Sequence, residues 1–187
     1  MRNNSCSAAA LKDVRVLTLT AMFVALSIVL GKLLSVTAGP FRISFENLPI
    51  LMAGVFLGPA AGCLTGIVAD IIGCLIVGYA INPILTVGAG CIGLISGLLF
   101  RLIPEKQLRY LPEHTFRVFA SVMPAHIVGS MLIKSVGLMV YYSYTLPQVA
   151  LRVPLYIVIG TAESLIIVAL LSNSAFASQI GRFGRNE

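Results

Sequence analysis

Four basic side chains lie in or beside long apolar segments, where a charge needs a partner, water or a ligand. They are Lys32, Arg42, Lys134 and Arg152. A lysine or arginine in hydrocarbon costs roughly 3 kcal/mol or more, so its presence there indicates a function by default. Arginine binds carboxylates through two parallel hydrogen bonds. We therefore predict that these cations share a site for an anionic ligand; the alternative is that each reaches for the membrane–water interface.

A smaller set of acidic and amide side chains lies in the same part of the sequence. Asp70, in VADIIG, could accept two N–H donors from a heterocyclic amine or neutralise a buried arginine. Asn82, near the end of GYAINP, can both donate and accept hydrogen bonds to a ligand edge. Glu163 and His126 are predicted to make internal hydrogen bonds, and a contact with a partner protein is the alternative for Glu163.

The segment GPFRISF alternates apolar and polar residues, which indicates an extended strand with one face on apolar protein. Arg42 and Ser44 would share the other face and are predicted to contact the ligand. Phe45 belongs to a cluster of aromatic residues that could stack on a planar ring. The alternative is that these aromatic residues form a belt at the membrane interface.

The composition excludes an ordinary water-soluble domain. Hydrophobic residues make up 58% of the 187 residues, charged residues make up 11%, and the mean hydropathy is +0.96. Soluble domains carry about 25% charged residues, so this chain must use the lipid bilayer as its solvent. The net charge of +6 is confined mainly to the ends of apolar segments, which argues against a nucleic-acid-binding face. The four cysteines form no CxxC pair, and we predict no metal or cofactor.

The length and the apolar runs predict one all-helical membrane domain over residues 1–187, with six spans. A helix needs about 20 apolar residues to cross roughly 30 Å of hydrocarbon. The predicted spans are approximately 14–35, 46–57, 60–77, 84–103, 116–142 and 147–172. The second would be only about 18 Å long at 1.5 Å per residue. We therefore expect the loop before it to dip into the protein, so that the outer loops cap a pocket.

The distribution of basic residues predicts that both termini are cytoplasmic. Short cytoplasmic loops carry an excess of lysine and arginine. In this orientation most of the 13 basic residues lie inside, namely Arg2, Lys12, Arg15, Arg101, Lys106, Arg109, Arg117, Arg182 and Arg185. The four cations introduced above would all lie in the outer half. No internal repeat is evident, so an inverted-repeat transporter has little support.

Small residues follow one face of the first predicted span. Thr18, Ala21 and Ala25 are spaced by three and four residues, so they lie on one side of a helix. Small side chains at this spacing let another helix approach closely in lipid. We predict that Ala21 and Ala25 dock a partner protein; internal packing is the alternative. In a regular helix Lys32 would lie on nearly the same face, further out, which weakens it as a ligand-binding residue.

Three stretches resemble one family of membrane proteins. AMFVA, RISFENLPILMAGVFLGPAAG and VADIIGCLIVGYAINPILTVGA are similar to S components of energy-coupling factor (ECF) vitamin transporters, in the folate (FolT-like) branch. The resemblance implies a six-helix, non-enzymatic subunit of the bacterial plasma membrane. It also implies docking through Ala21 and Ala25 on a transmembrane scaffold subunit that carries two ATPase subunits. The absence of a phosphate-binding loop from this chain agrees with ATP hydrolysis by partners.

The resemblance further implies a vitamin ligand, folate in this branch, held at the outer side beneath two loops. The pterin would stack on aromatic residues and meet Asp70, and the glutamate tail would meet Arg42, Arg152 or Lys134. Another small vitamin-like substrate is the alternative ligand. The predicted ligand-binding residues are Arg42, Ser44, Phe45, Asp70, Asn82, Lys134, Arg152 and Lys32.

Two other classes of function are less well supported by the residues. An intramembrane protease needs a serine–histidine pair or an HExxH motif. HExxH is absent, and the two histidines are His114, in a predicted cytosolic loop, and His126. A stand-alone carrier or channel would be expected to show repeats or a matched gating pair, and neither is evident.

Overall fold

The computed structural model describes residues 14–38, 41–103 and 115–173. The side chains of residue 33 and of the two short strands, which include Arg42, are not described. Several residues used in the predictions lie outside the described residues altogether: Arg2, Cys6, Lys12, Lys106, Arg109, His114, Arg182 and Arg185.

The first span is an α-helix that ends in a wider turn. Helix α1 covers Val14–Ile28 and continues as a π-helical segment over Val29–Leu33. Within the apolar helix, the hydroxyls of Thr18 and Thr20 donate to backbone carbonyls one turn earlier, each at 2.8 Å. These bonds satisfy the polar side chains without a partner from another helix.

A short hairpin follows α1. Strand β1 (Val36–Ala38) pairs antiparallel with strand β2 (Phe41–Ile43), and Arg42 lies opposite Thr37. The predicted extended segment is confirmed for β2. The hairpin leads directly into the first turn of the next helix, so it lies at the end of the bundle where that helix begins.

Three helices that follow one another in the chain form the centre of the bundle. They are α2 (Asn47–Leu57), α3 (Pro59–Val77) and α4 (Pro83–Leu102). Gly58 connects α2 to α3 with a φ of 110°, a conformation that glycine adopts without strain. Pro59 occupies the first turn of α3, where its missing N–H removes no intrahelical bond.

The last two spans complete the bundle. Helix α5 (Thr115–His126) continues through a second π-helical segment (Ile127–Ile133) into α6 (Lys134–Tyr142). Ser143, with a φ of 52°, ends α6, and α7 (Leu146–Ser172) is the longest α-helix among the described residues. The two π-helical segments lie in different spans. The first contains Lys32, and the second immediately precedes Lys134.

Five helical segments of the described residues are long and apolar enough to cross a membrane, with mean hydropathies from 1.5 to 2.2. Helix α2, with 11 residues, is not; it is roughly 16 Å long, and most of its side chains are buried by neighbouring helices. The helical segments begin and end within about two residues of the predicted spans. The predicted all-helical membrane fold is confirmed, with the small hairpin as an addition, while the cytoplasmic location of the termini stays a prediction.

Helix α4 packs against α2, α3 and α5. A Cβ atom on Gly62 of α3 would lie 2.6 Å from the Cα of Gly54 and 2.6 Å from the carbonyl oxygen of Gly93. No side chain fits there, so α2, α3 and α4 meet backbone to backbone, as small residues allow in lipid. The apolar core beside this contact comprises Ile50, Leu51, Met52, Val55, Ala89, Ile92, Val118, Val122, Ala125, Ile167 and Val168.

The bundle end opposite the hairpin carries arginines that bind neighbouring helices. Nε of Arg117 donates to the carbonyl oxygen of Phe100 at 2.5 Å, and its guanidinium lies 4.0 Å from the centroid of the Phe100 ring. This cation–π contact joins the start of α5 to the end of α4. The guanidinium of Arg101 lies against Gly58 at the same end.

Candidate functional site

A cavity of about 150 Å³ lies between the helices at the bundle end that carries the hairpin. The end of α1, the start of α2, and parts of α3, α4, α6 and α7 contribute to its wall. The lining residues are Lys32, Ser44, Glu46, Asn47, Asp70, Leu85, Lys134, Leu138, Arg152, Tyr156 and Ile159. Three cations and two carboxylates therefore meet in one small space.

Lys32 reaches the cavity because of the π-helical segment at the end of α1. Its Nζ lies 3.9 Å from Oε2 of Glu46, and the Lys32 side chain is only 6% exposed. A π-helical turn holds more residues than an α-helical turn, so Lys32 is rotated away from the face that regular helical spacing gives it. Gly73 of α3 makes room: a Cβ there would lie 2.7 Å from Cε of Lys32. Lys32 therefore lines the cavity and does not share the exposed face of Ala21 and Ala25, on which regular helical spacing placed it; its contact with a ligand stays a prediction.

Lys134 is held in a similar way at the start of α6. Its Nζ donates to Oδ1 of Asn47 at 3.3 Å. A Cβ on Gly88 of α4 would lie 2.8 Å from Cγ of Lys134, so the lysine stem crosses α4 where that helix has no side chain. An ammonium group has three N–H donors, and the bond to Asn47 uses one of them.

Arg152 brings a donor without a protein partner to the site. Its Nη2 donates to the Tyr156 hydroxyl at 2.8 Å, and its guanidinium lies 5.2 Å from the centroid of the same ring. Its Nη1 is buried and has no hydrogen-bond partner within the described residues. A buried donor left unpaired is costly, by roughly 1–3 kcal/mol or more for a charged group. A ligand acceptor would remove that cost.

Asp70 is fixed by a hydroxyl from the neighbouring helix. Oγ1 of Thr86 donates to Oδ2 of Asp70 at 2.6 Å, and Asp70 is 6% exposed. A carboxylate can accept several hydrogen bonds, so this contact leaves lone pairs for further donors. Asp70 supplies the acceptor side of a site whose other charged groups are mainly donors.

The structure brings together five of the eight residues predicted to bind a ligand, and their ligand contacts stay a prediction. Those lining the cavity are Lys32, Ser44, Asp70, Lys134 and Arg152. Phe45 is 39% exposed and is not among the lining residues. The backbone of Arg42 pairs in the hairpin two residues before Ser44.

Asn82 has a structural role at the start of α4. Its Oδ1 accepts from the backbone amides of Ile84 and Leu85, at 3.0 and 3.4 Å, and so caps the helix. Asn82 is not among the cavity-lining residues, and its Nδ2 is buried without a hydrogen-bond partner in the described part of the chain.

Several lining residues were missed by the sequence analysis. Glu46 and Asn47 look like the first turn of a helix, yet that turn opens on the cavity. The sequence could have indicated both residues, because they directly follow a segment already predicted to contact a ligand. Tyr156 lies one turn after Arg152, a spacing that places both on the same helix face.

Behind the cavity, the predicted internal contacts of His126 and Glu163 are confirmed. Nε2 of His126 lies 2.6 Å from Oε2 of Glu163, and the two side chains are 1% and 0% exposed. The Ser130 hydroxyl lies 3.4 Å from Nδ1 of His126. No group of three or more His, Cys, Asp and Glu side chains within the described residues could hold a metal ion.

The small-residue face of α1 lies outside the bundle. Thr18, Ala21 and Ala25 are all exposed in the described structure, so packing within this chain does not cover them. The face is therefore accessible to another membrane helix, and its docking role stays a prediction.

A family model described as "ECF-type riboflavin transporter, S component" matches residues 12–176. No curated protein sequence matches. The fold resembles the crystal structure of FolT bound with folic acid, at 20% sequence identity and a TM-score of 0.65, over 86% of this chain and 94% of that chain. It also resembles the S component of a bacterial ECF transporter, at 19% identity and a TM-score of 0.53, over 92% and 98%. At such identities the likeness concerns the fold.

Proposed function

The chain belongs to the ECF-type riboflavin transporter S component family, and from this premise we propose that its vitamin ligand is folate. As a member of that family it is a multi-pass membrane protein and the substrate-binding subunit of an ECF transporter. The scaffold and ATPase modules of the transporter are its partners. The ligand and the residues that bind it follow from the chemistry of the cavity.

The unpartnered Nη1 of Arg152 is the observation that carries the proposal. A ligand acceptor in the cavity would satisfy this buried donor, and Lys134, which lines the same cavity, has further N–H donors. Folate carries two carboxylates on its glutamate tail, and an arginine and a lysine are suitable partners for them. Lys32 is already paired with Glu46, so Arg152 and Lys134 are the cations assigned to the ligand.

The pterin ring is assigned to Asp70. One edge of a pterin presents an amino group and a ring N–H side by side, which suits the two oxygens of a carboxylate. Asp70 is oriented by Thr86 and can still accept from a ligand. Tyr156, which also lines the cavity, offers an aromatic ring, although its hydroxyl accepts a hydrogen bond from Arg152.

Riboflavin is the second candidate, because the matching family model carries its name. Riboflavin has no carboxylate, so it would leave the buried Nη1 of Arg152 and the remaining donors of Lys134 without an anionic partner. Leaving a buried charged donor unpaired costs roughly 1–3 kcal/mol or more. The charge in the cavity therefore favours folate over riboflavin.

The size of the cavity requires movement on binding. Its 150 Å³ is about half of the roughly 300 Å³ at the small end of ligand pockets. It holds one end of a folate molecule, and the rest must displace the hairpin or the 78–82 loop. Both segments connect helices at this end of the bundle, so they can move without breaking the backbone contacts of α2, α3 and α4.

The test is isothermal titration of the purified chain with folate and with riboflavin, in the absence of ATP. We expect folate to bind at least tenfold more tightly than riboflavin. Tighter binding of riboflavin would reject folate and leave the family assignment intact. Ligand that co-purifies with the protein, identified by mass spectrometry, gives an independent answer.

Docking of the scaffold on the face formed by Thr18, Ala21 and Ala25 is the second part of the proposal. The exposure of this face and the family membership support it. Small residues there let a partner helix approach closely. Uptake should therefore need both this face and the partner subunits, whereas ligand binding should need neither.

A further inference from the structure

A buried row of polar side chains connects the cavity to the interior of the bundle. It begins at Lys134, whose Nζ is 3.3 Å from Oδ1 of Asn47. Nδ2 of Asn47 is 3.5 Å from the Ser130 hydroxyl, which is 3.4 Å from Nδ1 of His126. Nε2 of His126 is 2.6 Å from Oε2 of Glu163. The row thus runs from the Lys134 ammonium to the carboxyl group of Glu163, which is fully buried.

The hydrogen bonds of this row all run in one direction. Lysine can only donate, so Asn47 accepts through its oxygen and presents its NH₂ group to Ser130. Ser130 accepts that bond and can donate its own proton to Nδ1 of His126. Nε2 of His126 then carries the ring proton and donates to the Glu163 carboxylate. Each of the four contacts thus joins one donor to one acceptor.

We propose that Asn47, Ser130, His126 and Glu163 form a positioning row that fixes the Lys134 ammonium for a ligand carboxylate. This inference rests on the proposed function, because it assigns Lys134 to the glutamate tail of folate. Lys134 and Asn47 line the cavity, whereas Ser130, His126 and Glu163 do not. These last three residues therefore act through Lys134 and not through ligand contact.

The physical reason is the flexibility of lysine. Fixing a rotamer-rich side chain before binding is worth roughly 2- to 10-fold in affinity. The Asn47 amide can hold Lys134 only while its oxygen faces the ammonium, and the Ser130 hydroxyl favours that orientation by accepting from the NH₂ group. The two central distances of 3.5 and 3.4 Å are long for hydrogen bonds. Removing the Ser130 hydroxyl therefore breaks the row at its weakest place.

Ser130→Ala is the central variant, and Ser121→Ala is its matched control. Both serines are fully buried in the same span, but the Ser121 hydroxyl donates only to the Val118 carbonyl of its own helix, at 2.9 Å. We expect Ser130→Ala to weaken folate binding roughly 2- to 10-fold, and Ser121→Ala to leave it unchanged. Ser130→Thr keeps the hydroxyl and should restore affinity towards that of the parent chain.

Two further measurements separate positioning from general damage. Binding of folic acid dimethyl ester, which lacks free carboxylates, should be unaffected by Ser130→Ala. In a chain that already carries Lys134→Met, adding Ser130→Ala should cause no further loss, because the row then has no ammonium to position.

Equal losses for folate and its ester, or full additivity with Lys134→Met, would overturn the positioning role. So would a Ser130→Ala variant that binds folate as the Ser121→Ala control does. In each of these cases folate binding by the unmodified chain would leave the proposed function standing. An unmodified chain without affinity for folate would overturn both proposals.

Discussion

The hydroxyl oxygen of Thr86 lies 2.6 Å from Oδ2 of Asp70, so one short hydrogen bond ties α4 to α3 at the wall of the cavity. The hydroxyl fixes the rotation of a carboxylate that is almost fully buried. A carboxylate held in one orientation loses less entropy when it meets paired N–H donors. If Asp70 binds the pterin as proposed, Thr86 orients it for the ligand without lining the cavity itself.

We expect Asp70→Asn to weaken folate binding about 10- to 100-fold, because a hydrogen bond to a charged acceptor is worth roughly 1.5–3 kcal/mol. Thr86→Val keeps the carboxylate but frees its rotation, so it should cost less, roughly 2- to 10-fold. Isothermal titration of both variants gives the comparison. An Asp70→Asn variant with the parent dissociation constant would contradict the assignment of the pterin to Asp70.

Arg152→Ala should weaken folate binding by about 2–5 kcal/mol if the guanidinium binds a buried carboxylate. Tyr156→Phe is the matched control, since it removes only the hydroxyl that accepts from Nη2 of Arg152. We expect that control to change affinity far less, because the guanidinium stays in place. Binding that is indifferent to the loss of Arg152 would contradict the assignment of a ligand carboxylate to this guanidinium.

Replacing both Ala21 and Ala25 by tryptophan should abolish uptake in cells that contain the partner subunits and leave folate affinity nearly unchanged. Bulk on this exposed face keeps a partner helix from approaching closely. Met22 and Leu26 have the same spacing on an adjacent exposed face, so their double replacement by tryptophan is the control and should preserve uptake. If the variant with tryptophan at positions 21 and 25 takes up folate as well as the control does, this face does not dock the partner.

Gly62→Ala should lower the melting temperature in detergent, because the added methyl group would lie 2.6 Å from the Gly54 backbone. Forcing an extra carbon into close packing costs roughly 1–3 kcal/mol. Leu64→Ala, on the half-exposed surface of the same helix, should shift the melting temperature less. A larger shift for Leu64→Ala would show that the backbone contact is not what holds α2, α3 and α4 together.

The sequence was sufficient to predict the helices of this fold because each one is a long apolar run interrupted by turn residues. Gly58-Pro59 and Asn82-Pro83 mark two of the boundaries, and α3 and α4 begin at those prolines. Proline fits the first turn of a helix and is destabilising further inside it. Each of these two prolines therefore marks a helix start that the sequence alone can predict.

The face on which Lys32 lies could not be predicted in this way. Its assignment assumed 3.6 residues per turn, and the π-helical segment breaks that spacing just before the lysine. A wider turn leaves no mark in such a sequence, because the residues of VLGKL fit an α-helical turn as well as a π-helical one. The same holds for the segment that precedes Lys134.

The polar residues near the cavity show a different limit. Asn82 was predicted to bind a ligand because amides can do so; its oxygen caps α4, and its contact with a ligand stays a prediction. Asn47 carries the same amide group and does line the cavity. Residue type alone does not separate a helix cap from a ligand-binding amide, since both need the same hydrogen-bonding atoms.

The short helix α2 has an electrostatic consequence. Its first residue, Asn47, lies in the cavity wall, and most of the helix is buried in the bundle. The aligned peptide dipoles of a helix place about half a positive charge at its N-terminus, and burial protects that field from screening by water and salt. Part of the positive potential in the cavity wall thus belongs to the backbone, and this part would remain when any single lysine or arginine is neutralised.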